Sequence, residues 1–494
     1  MEICPYLTRI VILLLFSLIS IFSGCSPANA KSHIDNSIVK IYSECYPYSY
    51  IAPWQLDGPE SGTGSGCIIA GKRILTNAHV VSNAKFVQVK RAGAKDKFVA
   101  EVEFIAHDCD LAVLKVKEEN FFKGATPLQI GSLVTIRDHV TVYGFPEGGE
   151  ALSVTEGIVS RVEVHEYAHS KAELLCGQID AAINDGNSGG PVIKDGKIVG
   201  VAFQAGSGEN IGYMVPSPVI QHFLKDIEDG RYDGIPSLEI SWQTMENPDL
   251  RSKYGLSKEQ TGLLVNKVYA GSPAEGLLKP GDVILGVADR DIASDGTIEF
   301  RKNERTLFIQ RIQEFFLGDI VCLRVLREGK ILTLSIKLTA RVNQTRLVPH
   351  CQYDIQPSYY ILGGLVFQHL TENYLDLWKK NQAPSNLRNY YLHGEPSKYR
   401  KKIVILASIL ADEVNVGYED LVDFAIFKAN GETISDLPSL VAAVESNTQR
   451  YHVFEDEKGR VIVLDREKAR LRHAQILKRY DIPSDRSEDL KLKK

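Results

Sequence analysis

Seven residues, Asp185-Gly186-Asn187-Ser188-Gly189-Gly190-Pro191, constrain this chain more tightly than any other stretch. The glycines let the backbone turn through φ values that a side chain would oppose. A serine held in such a turn presents its hydroxyl. The N–H groups around it converge on one concavity where an oxyanion can form. Gly/Asn/Ser clusters also make ordinary turns. The segment therefore carries a reaction only if a base and an orienting acid arrive from elsewhere.

Candidates for both lie upstream. Leu75-Thr76-Asn77-Ala78-His79-Val80-Val81 offers His79, and Asp108-Cys109-Asp110-Leu111-Ala112-Val113-Leu114 offers Asp110. Each of the three residues stands near an apolar or β-branched run, at 67–69, 111–116 and 198–203. A single His or Asp in such a place is more often structural. Three in the order His, Asp, Ser, each near a strand end, favour one site gathered from distant segments. That order is one of three unrelated chain orders known for the same catalytic geometry.

With these pieces in place, the chain resembles the Deg/HtrA family of ATP-independent serine proteases. The matching stretches are Gly62-Thr63-Gly64-Ser65-Gly66, Thr76-Asn77-Ala78-His79-Val80-Val81, Asp110-Leu111-Ala112-Val113-Leu114, residues 180–191 and residues 210–216. The resemblance is strong over residues 36–345 and weaker beyond. It is greatest to the plant Deg branch, whose second PDZ-like domain is divergent. It implies a mainly β protein: a chymotrypsin-like double β-barrel followed by two α+β PDZ-like domains.

The local patterns fit that plan. Residues 34–235 read as short strands and turns, for example 86–89, 100–105, 140–143 and 157–164, the spacing of a sandwich or barrel. Residues 218–229 look like a closing helix, and 230–236 like a linker. A PDZ domain is expected over 236–345, on Gly271-Ser272-Pro273-Ala274-Glu275-Gly276 and Pro280-Gly281-Asp282, with a hairpin-like pair at 319–326 and 329–338. A divergent PDZ-like domain is expected over 349–471. There Gly363-Gly364 is a candidate carboxylate loop, and Val416-Gly417-Tyr418-Glu419-Asp420 replaces the Pro-Gly-Asp turn. Residues 472–494 read as a charged tail, helical and then disordered.

Residues 1–30 read as a signal peptide, with an apolar core at 10–22. Two exits remain open: cleavage before Cys25, in a lipoprotein-like box that makes Cys25 a lipid anchor, or cleavage after Ala30, leaving Lys31 first. Either exports the chain, to a periplasm. The 57 Lys and Arg against 62 Asp and Glu give a net charge of −5, with no nucleic-acid footprint. Six cysteines beyond residue 30 lack C-x-x-C spacing, which argues against a zinc or redox motif.

The resemblance assigns roles. Ser188 is the nucleophile, His79 the base and Asp110 its orienting acid. Gly186, Asn187 and Ser188 make the oxyanion hole. Substrate backbone pairs with Ala202, Phe203 and Gln204, and the P1 pocket lies near Ile183, Ile211 and Gly212, suited to small or medium apolar residues. The loop 205–209 has the flexible composition of a segment that orders on activation. Peptide C-termini are expected at Leu238, Glu239 and Ile240 of the first PDZ domain, although Glu239 puts an acid where an anion binds. Tyr46, Tyr48, Tyr50 and Trp54 are candidates for the aromatic contact of a homo-trimer or higher multiple; they equally suit capping of a barrel end. The expected substrates are unfolded or misfolded polypeptides in the cell envelope, with no cofactor and no metal. His165-Glu166-Tyr167-Ala168-His169 matches the H-E-x-x-H zinc pattern, but strand-like alternation leads into it. Two other readings stay open: a chaperone or PDZ scaffold with the site held inactive, and the metalloprotease.

Overall fold

The computed structural model describes residues 34–206, 211–379 and 382–491. The leader, including Cys25 and Ala30, lies outside the described residues, as do 207–209 of the loop expected to order on activation. No helix among the described residues is long and apolar enough to cross a membrane.

Two closed six-stranded barrels form the N-terminal half. The first takes β1 (Ile38–Cys45), β2 (Glu60–Ile69), β3 (Arg73–Thr76), β4 (Ala84–Arg91), β5 (Phe98–Ala106) and β6 (Leu111–Val116) in the order β1-β2-β3-β6-β5-β4. The second takes β7 (His139–Gly144), β8 (Ser153–Glu166), β9 (Glu173–Ile179), β10 (Pro191–Lys194), β11 (Lys197–Ala205) and β12 (Gly212–Pro216) in the order β10-β11-β12-β9-β8-β7. Inward residues such as Ile41, Ile74, Val89 and Leu114 fill the first barrel, and Val142, Val159, Ile179 and Met214 the second. Between them a third cluster joins both, with Leu75 and Leu111 from one side and Tyr143, Phe203 and Val215 from the other.

Glycine in β2 sets how close the site elements come. A Cβ on Gly64 would stand 2.5 Å from Val80 Cγ1. Only its absence lets the short helix Ala78–Val81, which carries His79, lie on β2.

The helix Ser217–Asp226 closes the second barrel and buries Ile220 and Phe223. The stretch 230–236, expected as a linker, is held in place. Tyr232 Oη and Ile235 N–H donate to the two carboxylate oxygens of Asp108, at 2.5 and 2.9 Å. The link to the next unit is thus anchored two residues before Asp110.

That unit is a sheet of strands Ile240–Thr244, Leu263–Val268, Val283–Val287, Ile320–Arg327 and Lys330–Lys337, in that order. In its Pro-Gly-Asp turn, Gly281 takes φ 93°, and Asp282 is buried and accepts from Arg327 at 2.7 and 2.6 Å.

The third unit has two four-stranded sheets packed around Leu365, Phe367, Leu440 and Phe454. Two expectations change here, for the charged tail and for the N-terminal aromatics. Gly363 and Gly364, at φ 55° and 84°, are the turn between Tyr359–Leu362 and Leu365–His369. Their carbonyls accept from Asn415 Nδ2 and Leu410 N–H at 2.8 and 2.7 Å, which ties the turn to the segment 410–415. The residues after 472 do not leave the fold. The helix Arg466–Arg479 buries Ile476, Ile482 is buried beyond it, and Ile361 N–H donates to Asp485 O at 2.7 Å. Two isoleucines in a charged segment are enough to dock it. The N-terminal aromatics also turn inward. Tyr50 is buried among Leu347, Val348 and Leu370, and Trp54 meets Tyr359 edge-on at 5.8 Å. Tyr48 lies under Lys85, and Tyr46 N–H donates to Asn83 O. Tyr50 and Trp54 therefore pack on the third unit of the same chain.

Candidate active site

His79 and Asp110 meet between the barrels. His79 Nδ1 lies 2.7 Å from Asp110 Oδ2, and His79 N–H donates to Asp110 Oδ1 at 2.9 Å. Asp110 is 1% exposed and takes a left-handed φ of 53°, with its carbonyl fixed by Asn77 Nδ2 at 2.7 Å. Burial pushes the Asp110 carboxyl up, but His79, through charge and hydrogen bond, outweighs it and holds it below the usual range. Burial likewise drives His79 toward its neutral form. The Asp110 carboxylate, with Asp185 adding, overrides that and holds the imidazole above its usual 6.5.

Ser188 and His79 line one cleft of about 410 Å³. The loop that carries it is fixed from three sides. Ser188 O accepts from Ser65 N–H at 2.8 Å, Ser65 Oγ donates to Gly186 O at 2.7 Å, and Gly189 N–H donates to Ala202 O at 2.9 Å. Asp185 O is drawn away by Glu147 N–H at 2.6 Å. Gly186, at φ 95°, follows that peptide. Among the described residues, neither Gly186 N–H nor Ser188 N–H has an acceptor. Asn187 N–H, between them, donates to Asn184 O at 3.0 Å.

On the acyl side the three expected pairing residues differ. Ala202 uses both backbone groups within the chain, with Gly190 O and Gly189 N–H. A register shift leaves Phe203 out of the ladder between β11 and β12, while Gln204 pairs with Tyr213. The region expected to take P1 is lined by closely packed apolar side chains. Ile183 fills the place of a Cβ on Gly212, 2.7 Å away, and Ile211 does the same at Gly206, 2.5 Å away.

The family model described as a trypsin-like peptidase domain matches residues 64–201, and models described as PDZ domains match 244–338 and 348–489. The chain is 40% identical over 460 residues to "Putative protease Do-like 3, mitochondrial" of Arabidopsis thaliana, covering 93% of this chain and 80% of that one. It is 42% identical to "Protease Do-like 2, chloroplastic" of the same plant, covering 92% of this chain and 75% of the relative. The chain belongs to the Deg/HtrA family of serine endopeptidases. Among solved structures, the HtrA-type protease AlgW with a tripeptide superposes with TM-score 0.50 and 28% identity, covering 64% of this chain and 98% of that one.

In this Deg/HtrA chain the three residues expected to receive a peptide C-terminus line a second cavity, of about 580 Å³. Leu238, Glu239 and Ile240 form one wall, and Ile309 and Ile312 the facing helix. Glu239 does not point its charge freely into that space, because its carboxylate is hydrogen-bonded to Thr345. The H-E-x-x-H stretch is not helical. His165 ends a strand and stacks on Tyr213 at 4.5 Å, whereas His169 turns to His107, with 3.0 Å between ring nitrogens. Among the described residues no three His, Cys, Asp or Glu side chains converge on a metal-sized site. No disulfide joins the six described cysteines.

The structure adds functional neighbours that motif reading passed over. Lys40, 2% exposed, donates to Gly148 O and Glu150 Oε1, both at 2.7 Å, and so holds the loop whose Glu147 restrains Asp185. A lone lysine inside the apolar run Ile38-Val39-Lys40-Ile41 was the available signal. Asp108, His107 and Tyr353 had none, and His169 only the zinc-like pattern, since their contacts join distant segments.

Proposed function

We propose that this protein is an exported, ATP-independent endopeptidase that degrades misfolded or unfolded polypeptides through an acyl-enzyme. One observation carries the reading: His79, hydrogen-bonded to the buried Asp110, lines one cleft with Ser188, while the N–H groups of Gly186 and Ser188 have no acceptor among the described residues. His79 takes the Ser188 proton as Oγ attacks the scissile carbonyl, then returns it to the leaving amine. Asp110 keeps Nδ1 protonated and stabilises the imidazolium. Gly186 and Ser188 N–H receive the oxyanion; one such donor is worth about 3 kcal/mol. Water repeats the sequence on the ester and frees the acid. Phe203 and Gln204 align the acyl-side backbone, and Ile183 and Ile211 favour small or medium apolar P1 residues.

The first PDZ unit would hold an extended C-terminal peptide against the strand Ile240–Thr244, as in strand addition. The leader at 1–30 supports export to a periplasm, with a lipidated Cys25 or a free Lys31 at the mature end. The family implies a homo-trimer or higher multiple; with Tyr50 and Trp54 occupied, its contacts would use other surfaces. Relatives named mitochondrial and chloroplastic support an organellar destination instead. Mass spectrometry of the mature N-terminus separates these, and sedimentation reads the assembly.

The decisive assay uses an unfolded protein substrate without ATP. Wild type is expected to cleave it and Ser188→Ala to fall to background. Cleavage that survives in Ser188→Ala and stops with a chelator would sink the serine reading. Suppressed aggregation without any cleavage by wild type would establish the chaperone reading.

A further inference from the structure

The start of the second PDZ unit reaches back to the catalytic cleft. Tyr353 lines the cleft that holds His79 and Ser188. Its ring stacks on His169 at 4.1 Å and on His107 at 5.2 Å. Asp354 locks the segment down. It exchanges two hydrogen bonds with Asn83, both 2.7 Å, and meets His107 Nε2 at 2.9 Å. Gln356 Nε2 adds a bond to Pro53 O at 3.0 Å. The last domain of the chain therefore supplies a side chain to the walls of a site in the first.

The cleft's lining tells which part of a substrate Tyr353 meets. The acyl side of the scissile bond belongs with Phe203, Gln204, Ile183 and Ile211, and none of these lines this cleft. Its walls come from β1, the start of β2, the His79 helix and Asp185. It lies on the other side of Ser188, where the leaving amine and the residues after it must sit. Two carboxylates, Glu60 and Asp185, stand in that lining, with no lysine or arginine. Both are exposed enough for an incoming side chain to reach. An aromatic ring and two carboxylates in one trough suit a cation, through ring-face attraction and screened ion pairing.

We infer that Tyr353, with Glu60 and Asp185, is a specificity-determining wall for the leaving-group side of the substrate, favouring lysine or arginine in the first two positions after the scissile bond. This rests on Ser188 being the nucleophile. Internally quenched peptides with one fixed acyl side and varied leaving side test it on the full chain. Lys or Arg is expected to exceed Glu by about tenfold in kcat/KM at low salt, the size of one exposed cation–π contact plus one surface ion pair. The advantage should shrink as salt rises. Tyr353→Ala and Glu60→Gln should each cut it about threefold, while Tyr353→Phe keeps it. Glu60 is an exposed strand residue, so Glu60→Gln stays informative if Tyr353→Ala fails to fold. The ranking of acyl-side residues, set on the opposite side of Ser188, should not reorder in either variant. A flat leaving-side profile, or a cation preference untouched by both variants, overturns the inference. Peptide cleavage that persists in Ser188→Ala instead overturns the protease reading beneath it.

Discussion

Around His79, the position of negative charge governs the chemistry. Asp110 is buried and hydrogen-bonded to the ring, so its effect is short-range and weakly screened. Asp185 is exposed beside Gly186 and acts through charge alone. In the proposed mechanism His79 works as a base only when neutral. A pKa held above 6.5 therefore places the acid limb of kcat/KM above that value, and activity is lost as pH falls through it. Asp185→Asn removes one of the charges that raise His79, so the limb should move to lower pH. Because Asp185 is exposed, added salt should narrow the difference from wild type. A pH–rate profile of the free enzyme reads both. A limb that does not move would remove Asp185 from the electrostatics of the site. His79, Asp110 and Ser188 were legible in the sequence because each sits inside a local motif. Asp108, which ties Tyr232 and Ile235 to the same loop, was not, since its partners lie more than a hundred residues away.

The loop after β7 decides how the nucleophile turn is held. Glu147, at a left-handed φ of 53°, donates its N–H to Asp185 O and leaves the Asp185–Gly186 peptide with its N–H toward the cleft. Lys40 and Glu150 pin that loop from β1, and Lys90 and Tyr42 share Glu150. The lysine hydrogen bonds lead among the causes that draw the Glu150 carboxyl down to about 2, so the clamp stays charged at any pH where the protease would work. Lys40→Met should therefore lower kcat about tenfold to a hundredfold with KM nearly unchanged, part of the loss expected for a missing oxyanion donor. A matching drop in affinity for a transition-state analogue such as a peptide boronic acid would accompany it. Lys40→Arg keeps a donor and should recover part of the rate. If KM rises while kcat holds, Lys40 supports binding and not the hole. The barrel strands themselves were readable from alternation and glycine punctuation. The clamp was not, because sequence shows a misplaced lysine without showing what it reaches.

Across the whole molecule, the third unit is joined to the first at two places. Tyr353 and Asp354 fasten one edge beside the cleft, and Tyr50 and Trp54 fasten another through Leu347, Leu370 and Tyr359. Sequence reading placed the PDZ pattern correctly in the second unit, where the Pro-Gly-Asp turn and its hairpin are local. It also expected a PDZ-like domain in the third, but not the docking of Ile476 and Ile482 or the in-chain use of Tyr50 and Trp54, which depend on surfaces formed only after folding. Contacts of this size should couple the units in unfolding, since weakly joined domains melt separately. Tyr50 makes the clearest lever. It is 7% exposed, and its carbonyl also accepts from Gln368 at 2.8 Å, a bond that substitution of the side chain leaves in place. Tyr50→Ala should cost about 3 kcal/mol through the lost packing and the cavity left behind. In calorimetry the wild-type barrels and third unit should melt together, and the variant should separate them, with the third unit melting first. Unchanged melting in Tyr50→Ala would mean that the aromatic contact does not couple the units, and that Tyr353 and Asp354 alone connect the last domain to the catalytic cleft.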